Sequence, residues 1–154
     1  MRDFSVLMAA TPKKAKRLRW ILFLGALGLI GVSIGLATFH KTPWAVPAAE
    51  KARKNPLTFS DANIAAAKEI YGNKCSDCHG EKGKGDGSEA MMYDPAPSDL
   101  TDAAKMNKRT DGEIFYQITE GRKPMPSFKK KLTKEQRWQL VLLVRYFAAQ
   151  PAAE

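Results

Sequence analysis

The sequence has few of the residues that carry covalent cross-links or catalysis: its 154 residues include two cysteines and two histidines. Two cysteines form at most one disulfide, which excludes a small disulfide-stabilised scaffold. The GxxxxGK[ST] pattern of phosphate-binding loops is absent, and no serine is paired with a histidine as nucleophile and base. The chain is also too short for a two-domain dehydrogenase or a TIM-barrel enzyme. One small domain with an accessory segment remains.

Charge is absent from residues 20–39, where Ser33 and Thr38 are the only polar side chains. At about 1.5 Å per residue, a helix of this length spans about 30 Å, the thickness of the hydrocarbon core of a bilayer. Four glycines that would weaken a helix in water are tolerated in lipid and allow close packing of another helix: Gly25, Gly28, Gly31 and Gly35. The segment is therefore predicted to be a single-pass transmembrane anchor.

The net charge of +9 is divided unevenly along the chain. Residues 1–19 contain six bases and one acid, and such a basic arm stays on the cytoplasmic side of the membrane. Residues 40–154 are then expected on the opposite side. A nucleic-acid-binding protein would more often concentrate its bases on the folded domain, so no nucleic-acid partner is predicted.

A cleavable signal peptide is the alternative to an anchor. Val46-Pro47-Ala48 provides small residues at a plausible cleavage position. However, the apolar run exceeds the usual signal-peptide core of about 7–15 residues, and this position lies well beyond the end of the run at Phe39. An uncleaved anchor is favoured.

The rest of the chain divides into a tether, a folded module and a tail. Residues 40–58 contain three prolines and no helical periodicity, which predicts a tether that separates the module from the membrane. Residues 59–150 are predicted to form one domain, and residues 151–154 a short tail. A module of about 90 residues is small for a self-sufficient core, so a cofactor or a covalent cross-link would help to stabilise it.

Three helices and little strand are predicted in the module. Their ranges and N-terminal capping residues are 61–73 (Ser60 or Asp61), 111–120 (Thr110 with Glu113) and 134–149 (Thr133 with Gln136). Apolar residues recur at helical spacing in the first and the last of them. A stretch rich in Gly, Pro and Asp, residues 80–109, separates the first two. A loop of that length in a compact domain usually wraps around something.

The chemistry is concentrated in Cys75-Ser76-Asp77-Cys78-His79, the C-x-x-C-H pattern of c-type haem attachment. On a helical turn the two thiols lie on one face and reach the two vinyl groups of one porphyrin, while His79 directs its imidazole at the iron. A redox disulfide, half of a zinc site and a plain pair of buried cysteines are the competing interpretations. The chain has no second cysteine pair and no βαβ pattern, so one covalent haem c is predicted.

Over residues 59–149 the module resembles a class I cytochrome c of the membrane-anchored, mono-haem bacterial type. Beyond the C-x-x-C-H pattern, the resemblance rests on Tyr71, on Gly80 with Gly83, Gly85, Asp86 and Gly87, on Pro95, Pro97 and Asp99 to Thr101, on Gly121 to Phe128, and on Trp138 and Tyr146. Ala67 stands where the family more often has glycine. The resemblance implies an all-α fold, a small helical domain around covalent haem. With the anchor, it places this domain on the periplasmic side of a bacterial inner membrane.

The same resemblance implies that Met125 is the distal ligand, which makes the iron His/Met-coordinated. Prolines on both sides of Met125 stiffen its backbone. The other candidate methionines are interpreted as core residues, and the other histidine as an interfacial side chain; these are Met91, Met92, Met106 and His40.

The residues around the haem are assigned more loosely by the resemblance. Residues 80–85 contain no proline of the kind that orients the proximal histidine, so that role stays open. Trp138 is a candidate partner of a haem propionate, with core packing as the alternative. Arg145 is a second candidate, with a solvated side chain as the alternative.

A haem with two axial protein ligands has no open position for substrate, which predicts one-electron transfer rather than catalysis. The first hypothesis is a membrane-anchored carrier between a quinol-oxidising complex and a terminal oxidase or photosynthetic reaction centre. The second is a fixed subunit of a respiratory or photosynthetic complex. A haem enzyme or gas sensor in which Met125 is displaced is the third.

Basic residues are concentrated around the predicted distal ligand. Residues 105–145 contain eleven Lys and Arg against four acids. Five of these bases flank Met125: Arg122, Lys123, Lys129, Lys130 and Lys131. They form either a solvated surface or a docking ring for redox proteins with an acidic face.

Overall fold

The structure is a computed structural model that describes residues 44–150. In chain order its helices are α1 (Ala48–Lys51), α2 (Asp61–Lys74), α3 (Ser76–His79), α4 (Ala103–Met106), α5 (Asp111–Glu120) and α6 (Lys134–Ala149), with a 3-10 turn at Ala90–Met92. No strand occurs in this part of the chain, where one isolated antiparallel bridge joins Arg122 to Met125. The prediction of an all-α domain is confirmed for these residues.

The three long helices begin at the residues that the sequence marks as caps. The Thr110 hydroxyl accepts a hydrogen bond from the Glu113 amide, and the Glu113 carboxylate accepts one from the Thr110 amide. Thr133 and Gln136 form the same reciprocal pair at the start of α6. Ser60 caps α2 by accepting from the amide three residues on. The predicted helix ranges agree with the structure to within one residue because these signals are local.

The core forms where α6 packs against both α2 and α5. Ala67 and Val141 are completely buried in it. Tyr71 meets Phe147 edge to face, with ring centroids 5.2 Å apart. The core is completed by apolar side chains of α2, α4, α5 and α6 and of the segment before α6: Ile64, Met106, Ile114, Phe115, Ile118, Phe128, Trp138, Leu140, Leu142, Leu143, Val144 and Ala148.

The segment before α2, predicted as a tether without helical structure, contains α1 and contacts α5. The Thr110 hydroxyl donates to the Lys51 carbonyl (2.8 Å), and the Lys51 ammonium lies 3.0 Å from the Glu113 carboxylate. A Cβ on Gly112 would collide with the Glu50 carbonyl, so glycine permits this approach. A helix this short is not stable alone. The contacts of α1 with α5 therefore stabilise it, and no pattern in its own sequence predicts these contacts.

Several predictions concern residues that the structure does not describe. They are the basic arm at 1–19, the anchor at 20–39, the interfacial His40 and the tail at 151–154. These predictions, with the domain boundaries, stay predictions. In the described part of the chain, none of the helices combines the length and the hydropathy needed to cross a bilayer.

Candidate functional site

The C-x-x-C-H pattern occupies a single helical turn that follows α2 directly. The Cys75 amide donates to the Tyr71 carbonyl (2.9 Å), which ends α2 at this residue. The His79 amide donates back to the Cys75 carbonyl (2.8 Å), which closes the turn of α3. Residues four apart lie on the same side of a helix. Cys75 and His79 are thereby held on one side of the turn, and Cys75 and Cys78 are free thiols, each partly buried.

A glycine-rich loop follows and lets a distant segment approach the turn. Gly83 and Gly85 have φ values of +79° and +77°, which a residue with a side chain rarely adopts. A Cβ on Gly85 would meet the carbonyl of Pro97. The Gly85 amide donates to the His79 carbonyl (2.8 Å), and the Leu100 amide donates to the Gly83 carbonyl (2.7 Å). The glycines therefore bring the segment around Pro97 against α3.

This approach provides the group that orients His79. The Ser98 carbonyl lies 3.0 Å from Nδ1 of His79, and since a carbonyl can only accept, Nδ1 carries the proton. Nε2 is left with its lone pair, and burial lowers the pKa of His79, which keeps the imidazole neutral. Sequence reasoning did not identify Ser98, because the contact uses the backbone and no side chain signals it. The glycine pattern and Pro97 are the only indications.

A tyrosine of α2 supports the same turn from the core. The buried Tyr71 hydroxyl donates to the carbonyl of Gly80, the residue after His79 (2.7 Å). Burial raises the pKa of Tyr71, so the hydroxyl stays protonated and remains a donor.

The two thiols are held in the neutral form. Burial raises the pKa of Cys75 to about 12. Burial, with the nearby Glu89 carboxylate, also raises the pKa of Cys78. Cysteines used for disulfide exchange or metal binding instead have lowered pKa values. Among residues 44–150, no group of three or more His, Cys, Asp or Glu side chains is placed to hold a metal ion. The raised pKa values of both thiols therefore differ from those of cysteines that act in disulfide exchange.

Met125 lies on a loop that folds back over the end of α5. The Phe128 amide donates to the Ile118 carbonyl (3.2 Å), and the Ser127 hydroxyl donates to the Thr119 carbonyl (2.7 Å). The Met125 side chain is partly buried and packs against the core. The loop thus holds its methionine at the edge of the core.

The other methionines divide into two groups. Met106 is 1% exposed and lies in the core, which confirms the prediction for it. Met91 and Met92 are 98% and 67% exposed, so the prediction that they fill the core is wrong. Both lie on the 3-10 turn, where the neighbouring Ala90 provides the buried side chain instead.

Both predicted propionate partners have other roles in the fold. Arg145 donates to the Asp111 carboxylate (2.8 Å) and to the carbonyls of Met106 (2.7 Å) and Arg109 (2.6 Å). These contacts tie α6 to the segment before α5, so the interpretation of Arg145 as a simply solvated side chain is wrong; its propionate contact stays a prediction. Trp138 is 2% exposed and stacks on Phe115, which confirms that it packs in the core. Its buried indole N–H has no hydrogen-bond partner among the described residues, so a propionate contact of this group stays a prediction.

The residues present fit a covalently bound haem. Cys75, Leu100 and Met125 pack against the core, yet each keeps part of its surface open. Partly exposed apolar side chains of this kind are what a porphyrin covers. The two thiols would hold it, and the donor set of sulfur and imidazole suits a haem iron.

Comparisons with known proteins agree with this chemistry. The family model described as cytochrome c oxidase, cbb3-type, subunit III, matches residues 62–144. No curated protein matches the chain. Among solved structures, a chain of the Kuenenia stuttgartiensis reducing HAO-like protein complex Kustc0457/Kustc0458 is 30% identical, with a TM-score of 0.52 over 72% of this chain and 53% of that chain. The KustC0563 c-type cytochrome is 35% identical, with a TM-score of 0.46 over 53% of this chain and 95% of its own. This chain therefore spans about half the length of the first of these structures.

Proposed function

Because this chain belongs to the c-type cytochromes, through the family of cbb3-type oxidase subunit III, we propose that it transfers electrons through one haem, with His79 and Met125 as axial ligands. The family implies covalent haem c and electron transfer. Cys75 and Cys78 supply the two thioether bonds of the proposal. The observation that carries it is the Ser98 carbonyl 3.0 Å from His79 Nδ1, because this contact reserves Nε2 for iron.

The residues of the site act by restricting motion rather than by proton transfer. Haem c supplies a one-electron couple at the iron when it is bound. The Ser98 and Tyr71 contacts hold the α3 turn, and the hydrogen bonds of Ser127 and Phe128 hold the loop that carries Met125. A site whose two ligands stay in place in both oxidation states reorganises little when an electron arrives or leaves. This property suits a carrier.

We place this carrier at a bacterial inner membrane, anchored through residues 20–39 with its haem domain in the periplasm. It shuttles electrons between a quinol-oxidising complex and a terminal oxidase or photosynthetic reaction centre. Its partners present an acidic face to the basic residues around Met125: Arg122, Lys123, Lys129, Lys130 and Lys131. All five are exposed, as a docking ring requires. Protease added on the periplasmic side should digest residues 40–154 and leave the basic arm.

A fixed subunit of a larger complex is the second candidate function. The matching family is described as a subunit of an oxidase, and a similar structure belongs to a complex with an HAO-like protein. Purification in mild detergent separates the two candidates. A carrier purifies alone, whereas a subunit co-migrates with the same partners in constant ratio.

A haem enzyme or gas sensor has weaker support, because the proposed ligand set leaves the iron no open position. Ferric protein with a bound methionine shows a far-red methionine-to-iron absorption band. A protein without this band that binds carbon monoxide readily at neutral pH would be assigned to this third function instead.

The test of the ligand assignment is Met125→Ala. Axial ligands set haem potentials over a range of about 0.8 V. We expect the variant to keep its covalent haem, lose the far-red band, bind imidazole and fall in potential by a sizeable fraction of that range. Spectra and redox titration of the purified full chain give the answer.

Met92→Ala is the matched control, because Met92 is a rival methionine that is largely exposed. Its spectrum and potential should equal those of the unmodified protein. If Met125→Ala keeps the band and Met92→Ala loses it, the ligand is misassigned.

A further inference from the structure

The turn that follows the glycine-rich loop exposes two adjacent methionines. Met91 and Met92 are 98% and 67% exposed, whereas the neighbouring Ala90 is buried. Burying a methionine side chain stabilises a protein, and this turn leaves two of them in contact with solvent. Methionine is flexible and polarizable, and it adapts to varied binding surfaces. We call residues 89–94 the methionine turn.

The methionine turn is fixed against the helix that carries the proposed haem attachment. The Glu89 amide donates to the Asp77 carbonyl (2.8 Å), and the Gly87 amide donates to the Cys78 carbonyl (3.2 Å). Glu89 Oε2 lies 3.8 Å from Cys78 Sγ. A protein seated on Met91 and Met92 therefore lies close to the haem bound at Cys78.

The segment that contains this turn is opposite in charge to the segment that contains Met125. Residues 75–102 contain seven acids and two bases, and Asp77, Glu81, Asp86 and Asp94 are exposed, while Asp102 pairs with Lys105 (2.8 Å). Residues 121–131 contain five bases and no acid. A charged patch attracts a partner of the opposite charge and repels a partner of the same charge. An acidic partner suits the basic residues, and a basic partner suits the methionine turn.

We propose that the methionine turn is a second docking surface, for a redox protein that presents a basic rim around an apolar centre. The proposal rests on the proposed function, since it requires haem at Cys78. One electron enters at one surface from a reduced partner and leaves at the other to an oxidised partner. No bond forms or breaks, and the iron alternates between ferric and ferrous.

The test uses two ruthenium complexes that carry aromatic ligands and differ in the sign of their charge. Tris(bipyridine)ruthenium(II) is a cation, and tris(bathophenanthrolinedisulfonate)ruthenium(II) is an anion. A light flash lets either complex donate one electron to the ferric haem of the full chain in neutral detergent. The second-order rate constant is measured against ionic strength.

The direction in which the rate of the cationic probe changes with salt shows whether the local surface or the overall charge of the protein controls the encounter. The net charge of +9 would repel the cationic probe, so its rate would rise with salt if overall charge decided the encounter. We expect its rate to fall with salt, because the acidic surface around the methionine turn attracts it. The rate of the anionic probe falls with salt in either case.

Paired variants complete the test. We expect Met91→Gln with Met92→Gln to lower the cationic rate at least fivefold and to leave the anionic rate unchanged. Lys129→Gln, Lys130→Gln and Lys131→Gln together should do the reverse. Phe59→Gln removes another exposed apolar side chain (58% exposed), which stacks on Tyr146, and should change neither rate.

A cationic rate that rises with salt and is unchanged by the methionine substitutions overturns the proposal. So does a lysine variant that slows both probes equally, because one surface then serves both. Failure of the proposed function is seen separately, in the absorption spectrum before any flash: without covalent His/Met haem, the starting protein lacks the far-red band.

Discussion

The two sides of the proposed haem site are built in different ways. On the attachment side, residues 75–102 are held by backbone contacts between distant segments, such as those of Gly85 with His79 and of Leu100 with Gly83. On the distal side, residues 121–131 form one loop that is tied to the end of the neighbouring helix α5. The attachment side is acidic and the distal side is basic.

The difference in construction implies that the attachment side is rigid and that the distal side can change. Close backbone approach tolerates almost no change in shape, which suits a cofactor that is attached once and never released. A short loop with one ligating side chain and a few hydrogen bonds can be altered without loss of the domain. Substitutions that disturb the backbone on the attachment side should therefore act mainly on folding, and those that loosen the loop on the distal side should act mainly on the ligation of the iron.

Gly87→Ala is expected to have the largest effect. A Cβ at this position would collide with the backbone carbonyls of Ser76 and Asp77, which cannot rotate away. We expect a loss of about 3 kcal/mol in the free energy of unfolding, measured by guanidinium titration of the haem-loaded protein. The yield of covalent haem should fall as well.

Gly72→Ala is the control for this substitution, because no other atom lies within 4 Å of the added Cβ. Gly72 lies in the last turn of α2, where alanine should stabilise the protein by up to about 0.5–1 kcal/mol. Equal effects of the two substitutions would show that the attachment side does not depend on close backbone approach.

Tyr71→Phe tests the support of the attachment turn from the core. It removes the donor to the Gly80 carbonyl and leaves that carbonyl without its side-chain partner. We expect a loss of about 1–1.5 kcal/mol in the free energy of unfolding, because one buried hydrogen bond is lost while the Gly83 amide (3.1 Å) still donates to the same carbonyl. Tyr93→Phe removes a weaker bond to Glu89 (3.4 Å) and should cost less than about 0.5 kcal/mol. A larger loss in Tyr93→Phe contradicts this account.

Ser127→Ala tests the distal side. It removes the hydrogen bond to the Thr119 carbonyl, which holds the loop that carries Met125. The expected loss of stability is about 1 kcal/mol, and the same loosening should let imidazole displace Met125 about fivefold more readily. Spectral titration with imidazole measures this effect. Ser88→Ala, on the attachment side, is the control, and an equal gain in imidazole affinity there would remove the distinction between the sides.

Much of the fold could be predicted because its signals are local. The capping pairs, the apolar spacing of α2 and α6 and the C-x-x-C-H pattern each depend on residues within a few positions of one another. Met106 also follows from its apolar character alone. These features need no knowledge of which segments meet in three dimensions.

The errors concern features that depend on distant partners. Arg145 has three acceptors near α5, two of them backbone carbonyls that no sequence pattern marks. No sequence pattern marks the Ser98 carbonyl either, although it orients His79. The apolar side chains of Met91 and Met92 predict burial in the core, but the turn that carries them buries Ala90 instead. In each case tertiary contacts outweigh the preference of the residue.

Glu89→Gln is expected to have the smallest effect, and it tests whether the charge of the attachment side reaches the iron. The Glu89 carboxylate lies 3.8 Å from Cys78 Sγ, and its negative charge stabilises the more positive ferric state. At an effective dielectric constant of about 40 and a separation of about 10 Å, one charge contributes about 0.8 kcal/mol, which is about 35 mV in a one-electron potential. Neutralising Glu89 should therefore raise the potential by about that amount at low ionic strength, measured by redox titration. Glu69→Gln, on an exposed part of α2, should shift the potential much less. Equal shifts would show that only the total charge of the protein affects the potential, and not the position of Glu89 near Cys78.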